Sequence, residues 1–272
     1  MRYSVLMSVY KNDNATFLKE ALYSIYEGQK RKPDEIVVVF DGPLTAELYA
    51  ALDEFKMGKE DIVVYRSLES NMGLGKALKI GTAYCTGDYI FRMDADDISA
   101  ADRFDKQIKY IEINPEVDVL GTGIAEFQAS LSEEFCFRIC PTDSEGIKEM
   151  CKHRNPMNHV SVCIKRSALE ACGGYEHLLY LEDYLLWIKM IGQGFVLRNL
   201  DEHLVFVRTG NNFINKRGAR ERIQGWKVLQ QTMLGYNMIN KREALLNMLY
   251  INVFVKMPSW IKKVAYRCFL RK

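Results

Sequence analysis

Apolar and polar positions in the first hundred residues switch between a two-residue and a helical period. Residues 3–10 (YSVLMSVY) put apolar side chains on both faces of an extended segment and predict a strand. Residues 14–27 set Phe17, Leu18, Ala21, Leu22 and Ile25 at helical spacing, with Gly28 suited to end the helix. The β-branched run 35–43 (EIVVVFDGP) closes in a turn, and 62–66 (IVVYR) predicts another strand. A helix over 73–85 and a strand over 89–93 follow. This βαβα succession predicts an α/β fold, a mostly parallel sheet flanked by helices on both faces.

Beyond residue 97 the pattern predicts a helix over 102–113, stopped at Asn114-Pro115, and strands within 117–139. A strand over 159–165 leads to a helix ending at Cys172-Gly173-Gly174. A helix over 182–192 and short strands over 195–198 and 203–208 come next, and from 217 onward the pattern is helical. There are no repeats and no linker. Residues 1–215 are therefore expected to form one body with halves 1–113 and 114–215, followed by a helical extension over 216–272.

Composition refines this picture through charge. The net charge of +2 conceals an asymmetry: residues 216–272 carry thirteen Lys and Arg against two Glu, and the remainder carries 24 against 33. A catalytic body with a basic tail that has its own partner is the expectation. The seven cysteines are scattered and form no Cys-x-x-Cys, which argues against a zinc site or disulfide framework and for a reducing cytosol. The amino-terminal MRYSVLMSVY is too short and too alternating for a signal peptide, and no stretch approaches the roughly 20 apolar residues of a spanning helix.

The candidate chemistry centres on residues 89–97 (YIFRMDADD), an apolar run ending in Asp94, Asp96 and Asp97. Carboxylates so close repel one another, and a cation between them relieves the repulsion. In open α/β sheets ligands bind beyond the carboxyl ends of the strands, where these acids would lie. The arrangement suggests a divalent-metal platform for a phosphorylated ligand. Ser8-Val9-Tyr10 and Asp41-Gly42-Pro43 end the first two strands and would overlook the same edge. Asp41 could accept a hydrogen bond from a nucleobase imide, or bond its own backbone as a turn residue. Residues 71–76 (NMGLGK) offer glycines, backbone N–H groups and a cation before a helix, which suits phosphate, although the spacing fits neither a Walker loop nor a dinucleotide fingerprint. Glu182 and Asp183 open an amphipathic helix, a place the helix dipole also favours for acids.

The order SVYKND, VVVFDGP, SNMGLGKAL, TGDYIFRMDADD, GGY and LEDYLLW resembles glycosyltransferase family 2, the inverting nucleotide-sugar enzymes of GT-A fold, over about residues 3–210. The likeness is greatest to bacterial enzymes building capsule, exopolysaccharide or O-antigen. The resemblance implies that Ser8, Val9, Tyr10 and Asp41 hold the uracil and ribose of a UDP-sugar. It implies that Asn71, Gly73 and the loop close over the nucleotide with Lys76 nearby. Asp94 would contact ribose or sugar, Asp96 would coordinate Mg²⁺ or Mn²⁺, Asp97 would support the metal or cap the next helix, and Asp183 would be the catalytic base. Two departures, Phe40 before Asp41 and Lys76-Ala77-Leu78-Lys79 in place of Arg-Asn, bear on the nucleotide contacts.

Glu182, His159 and Trp187 are candidate acceptor contacts, with Trp187 either a sugar platform or core and His159 either a contact or a structural histidine. Trp260, Ile261, Val264, Ala265, Phe269 and Leu270 recur near helical period among basic residues. That pattern reads as an interfacial helix on an anionic leaflet, or as a helical pair packed on the body. The expectation is a cytoplasmic enzyme, peripheral on the inner face of the membrane, with an undecaprenyl-diphosphate-linked or other saccharide acceptor and no nucleic-acid partner. A dehydrogenase conflicts with the glycine-free first βα turn. A sugar-phosphate nucleotidyltransferase would use the same aspartates but gives no reason for the Glu182-Asp183 helix. A membrane- or polyanion-binding protein without catalysis has only the tail in its support.

Overall fold

Four parallel strands carry the first half of the chain: β1 (Tyr3–Val9), β2 (Glu35–Phe40), β3 (Val63–Ser67) and β4 (Tyr89–Met93), ordered β3-β2-β1-β4. The structure, a computed structural model, describes residues 1–128, 135–209 and 222–257. The same sheet continues through β8 (Cys163–Lys165), antiparallel to β4, to β6 (Val119–Phe127), antiparallel to β8. It ends with β9 (Leu197–Arg208), parallel to β6, and the two-residue β5 (Ile98–Ser99); β7 (Cys136–Arg138) pairs with β6 off this path.

Strands β1 and β2 carry apolar side chains on both faces, and the faces feed different cores. Val5, Met7 and Val9 of β1 and Ile36, Val38 and Phe40 of β2 pack under α1 (Ala15–Ile25), α2 (Ala46–Lys56) and α4 (Arg103–Ile113). Leu6, Val37 and Val39 point the other way, under α3 (Leu74–Thr82), α5 (Ser144–Cys151), α6 (Arg166–Ala171) and α7 (Glu182–Gly192). A sheet covered on both faces is what makes parallel strands read as continuous apolar runs. Register fixes the site edge. Val9 pairs with Phe40 and Met7 with Met93, so Asp41 and Asp94 emerge beside Tyr10 and Ser8.

The structure departs from the expected elements in four places. Helices α2 and α5 were not anticipated, although Leu48, Ala51, Leu52 and Phe55 have helical spacing and the Thr45 and Asp143 side chains cap the two N-termini. Residues 159–161 form a 3₁₀ turn, and only Cys163–Lys165 is strand. Ser161 Oγ donates to the carbonyls of Asn158 and Thr122 (2.9 and 3.0 Å), a side-chain alternative to ladder bonding. The two short strands expected after 195 are one strand. Asp201 and Glu202 bulge out between the pairs Thr122–Leu200 and Gly123–His203, which breaks the apolar pattern without ending the strand.

The described part of the extension is bound to the body. Helix α8 (Arg222–Gly235) packs on α7 and α9 (Lys241–Lys256) packs on α8, in one cluster where Leu229, Met233, Ile239 and Ala244 join Tyr184, Leu185 and Ile188. Buried Asn247 donates to Lys152 O and Gln230 Oε1, both at 2.9 Å. On the outer side of α9, Leu245, Leu246, Leu249, Tyr250 and Val253 are exposed. The interfacial helix expected around Trp260, Ile261, Val264, Ala265, Phe269 and Leu270 lies outside the described residues. No described helix is long and apolar enough to cross a membrane.

Candidate active site

Ser8, Tyr10, Asp41, Asn71, Gly73, Asp94, Asp96 and Glu182 line one cavity of about 630 Å³ at the carboxyl ends of β1, β2 and β4. A larger hollow of about 890 Å³ lies beside α1 and α2, among Tyr23, Phe55 and Phe127. None of the expected site residues lines it, so the smaller cavity is the candidate site.

Asp41 lines the cavity and also holds the neighbouring loop. Its oxygens accept from Met72 N (2.6 Å) and Gly73 N (3.0 Å), so the carboxylate ties the loop before α3 to the end of β2. Gly42, at φ +88°, makes this possible: a Cβ there would stand 2.7 Å from Asn71 N. Helix α3 starts after Gly73 with no side-chain cap, and Gly73, Leu74 and Gly75 at this start line the cavity.

The three aspartates after β4 part company. Asp94 Oδ1 accepts from Arg92 Nη2 at 2.5 Å, and its side chain is 39% exposed. Asp96 stays open at the cavity surface, yet the crowded walls, and then the Asp94 charge, lift its carboxyl to about 6. Asp97 turns inward. It is buried and accepts from Arg208 N (2.8 Å), neither lining the cavity nor capping α4. Arg208 also donates through Nε to Asp96 O and through Nη2 to Glu20, and its guanidinium lies 3.8 Å from the Phe17 ring centroid. It clamps the aspartate loop from the side opposite the cavity.

Two further acids face the cavity. Desolvation, opposed by a hydrogen bond from Tyr10 N and joined by the Asp96 and Asp94 charges, raises Asp13 to about 7. Burial and the Asp183 charge raise Glu182 to about 7. Asp183 stands outside the cavity lining; it accepts from Asn155 Nδ2 (2.6 Å) and from Tyr184 N (2.8 Å).

No group of three or more His, Cys, Asp or Glu among the described residues is arranged as a metal cage. The residues nevertheless fit a divalent cation shared with a ligand. Asp94 and Asp96 open on one cavity, and Asp96 is poorly stabilised as an anion. Mg²⁺ in particular is commonly held by one or two carboxylates, with substrate phosphates and water completing its shell.

Four expected contacts are corrected. Trp187 is completely buried in the core beneath α7 and cannot offer its face to a sugar. His159 Nε2 bonds Tyr175 Oη (2.9 Å), its ring stands edge-on to Trp187, and it lies off the cavity lining; desolvation, then Arg92, pushes its pKa well down. Val9 points into the core, so only its neighbours reach the cavity, and Lys76 is exposed outside the lining residues.

Asn12, Asp13, His177, Leu179 and Tyr180 line the cavity without having been expected there. His177 covers Gly73, where a Cβ would meet its Cε1 at 3.4 Å, and Tyr180 adopts φ +64°. Their place between the GGY and LEDYLLW motifs was the available signal.

The chain resembles known proteins in both sequence and fold. The family description Glycosyl transferase family 2 matches residues 4–171. The amylovoran biosynthesis glycosyltransferase AmsE of Erwinia amylovora is 35% identical over 87% of this chain and 85% of its own length. The UDP-Gal:alpha-D-GlcNAc-diphosphoundecaprenol beta-1,3-galactosyltransferase of Escherichia coli is 30% identical over 100% of this chain and 97% of its own. The crystal structure of S. aureus TarS 1–349 in complex with UDP-GlcNAc matches with a TM-score of 0.67 at 17% identity, covering 93% of this chain and 72% of that one. At that identity the likeness speaks for the fold.

Proposed function

The chain belongs to glycosyl transferase family 2, with a GT-A fold, and from that premise we propose that it moves a hexose from a UDP-sugar to a lipid-linked saccharide during surface-polysaccharide synthesis. The carrying observation is the single cavity onto which Asp94, Asp96, Glu182 and the uncapped start of α3 all open. The two relatives act, by their names, in amylovoran synthesis and on a diphosphoundecaprenol-linked acceptor, which supports the donor and acceptor classes proposed.

Glycosyl transfer requires a diphosphate leaving group to be neutralised while an acceptor hydroxyl loses its proton. The N–H groups of the first turn of α3, at Leu74 and Gly75, are suited to the diphosphate oxygens. Asp94 and Asp96 would hold Mg²⁺ or Mn²⁺, which when bound supplies Lewis-acid stabilisation of the leaving diphosphate. Tyr10 and Ser8 border the space next to Asp41 and flank the base and ribose. Asp183, oriented by Asn155 Nδ2 next to the cavity-lining Glu182 but itself beyond the lining, would take the proton from an acceptor hydroxyl that approaches past Glu182. One base opposite the leaving group yields inversion, hence a β-linked product from an α-linked donor, by the logic that separates the two glycosidase classes.

The outer face of α9 adds an apolar strip to a segment rich in Lys and Arg, which supports a peripheral position on an anionic membrane surface at the cytoplasmic side. Residues 1–215 then act as the catalytic body and 216–272 as the part that meets the membrane.

The deciding experiment incubates the chain with Mn²⁺ and a panel of UDP- and GDP-sugars and identifies the released nucleotide. UDP release with β-linked product by NMR is expected. Pyrophosphate release from a sugar phosphate and UTP would instead identify a nucleotidyltransferase. Asp183→Asn should lower turnover about 10²-fold or more, while Glu182→Gln acts mainly on acceptor KM.

A further inference from the structure

Arg92 sits on β4, two residues before Asp94, and its side chain is 2% exposed. Its Nη2 bonds Asp94 Oδ1, whereas Nε and Nη1 make no hydrogen bond among the described residues. The backbone beneath is braced by a second buried cation: Arg103 Nη2 donates to Arg92 O (2.9 Å) and Nη1 contacts Met93 Sδ.

The surroundings of this cation are one-sided. Asp94 and Asp97 from the aspartate loop and Tyr175 from the loop before α7 face it, as does neutral His159 from the 3₁₀ turn. Asp13, Asp96 and Glu182, which line the cavity, also feel its field. Arg92 is thus buried directly behind Asp94, a carboxylate that lines the cavity, with one direct bond, to that residue. A buried guanidinium is costly, and well-packed apolar replacements of buried ion pairs are often neutral or stabilising. Fold stability gives little reason to keep Arg92. Orientation of Asp94 gives a clear one, because the only hydrogen-bonded arm of the fork ends on that carboxylate.

We propose that Arg92 is a positioning residue that fixes the Asp94 carboxylate from beneath, so that its outer oxygen is presented to the donor. The inference rests on the UDP-sugar reading of the cavity and goes beyond it in naming what sets the geometry of Asp94. Arg92 itself touches no substrate. Without it, Asp94 can rotate and meets its ligand at an entropic cost.

The test is a double-mutant cycle read by isothermal titration of UDP-sugar-free UDP with Mn²⁺, alongside kcat/KM for UDP release and the melting temperature. Arg92→Met should weaken UDP binding with Mn²⁺ about tenfold while changing the melting temperature little, because the Asp94 left behind is 39% exposed and keeps its water. In an Asp94→Asn background the same change should cost less than about twofold, because its target is gone. Arg92→Lys keeps the charge but loses the planar fork, and should bind as weakly as Arg92→Met. Equal losses in both backgrounds would reduce Arg92 to a general structural role and overturn the proposal. Full affinity in Arg92→Met, or in Arg92→Lys should Arg92→Met not fold, would overturn it too. A wild-type chain that binds no UDP with Mn²⁺ removes the donor reading and this inference with it; weak binding by Arg92→Met alone separates the two.

Discussion

Replacing Asp41 by Asn distinguishes a loop anchor from a nucleobase reader. The carboxylate is 4% exposed and accepts two backbone N–H groups from a loop thirty residues away, at 2.6 and 3.0 Å. Bonds to a charged acceptor contribute about 1.5–3 kcal/mol each. Asn retains one acceptor oxygen but opposes the second N–H with its own NH₂, and both remaining bonds lose the charge. Met72 is exposed and Gly73 half-buried, so water recovers part of the loss. The net cost should be about 2 kcal/mol, or roughly 4–8 °C in melting temperature for a chain of this size. Urea denaturation gives the stability, and hydrogen exchange at the Met72 and Gly73 amides shows whether the loop is released. A variant of unchanged stability and unchanged amide protection that has lost UDP binding would refute the anchoring argument and return Asp41 to the nucleobase.

Three other outcomes follow from the geometry. Asp13, Asp96 and Glu182 carry pKa values of about 7, 6 and 7, above the ordinary carboxylate range, so ionising them opposes folding. Their stabilising contribution is present below about pH 4 and lost as pH rises through 6 to 7. Mn²⁺ should therefore raise the melting temperature more at pH 7.5 than at pH 5.5, and less in Asp96→Asn; equal shifts at both pH values would contradict this. Gly42→Ala forces a side chain onto φ +88° and against Asn71 N, and should cost about 1–3 kcal/mol in chemical denaturation, where an unchanged midpoint would deny the left-handed turn. Deleting 257–272 should release the chain from anionic vesicles in co-sedimentation, since each Lys or Arg near the surface contributes about 1 kcal/mol; undiminished binding would remove the membrane role from that segment.

Local order was written plainly in the chain. The parallel strands, the alternation of period and the motif order announced a covered α/β sheet with candidate chemistry at the carboxyl edge of its strands, because strand and helix periodicities are properties of short segments. The convergence of Ser8, Asp41, Asn71, Asp94, Asp96 and Glu182 was legible too, since strand ends of a parallel sheet share one side. Side-chain allegiance was not. Trp187 is four residues from Asp183, yet the sheet seals it, and no pattern in one helix reveals what covers both its faces. Asp41 found its partners thirty residues away, and Arg208 holds the aspartate loop from more than a hundred residues along the chain. Of the Glu182-Asp183 pair, adjacent positions on a helix diverge by about 100°, so only packing could decide that the first faces the cavity and the second faces Asn155. Segment propensities thus determined the scaffold and its active edge, while burial and long-range hydrogen bonds, which exist only once the layers close, decided which side chains meet there.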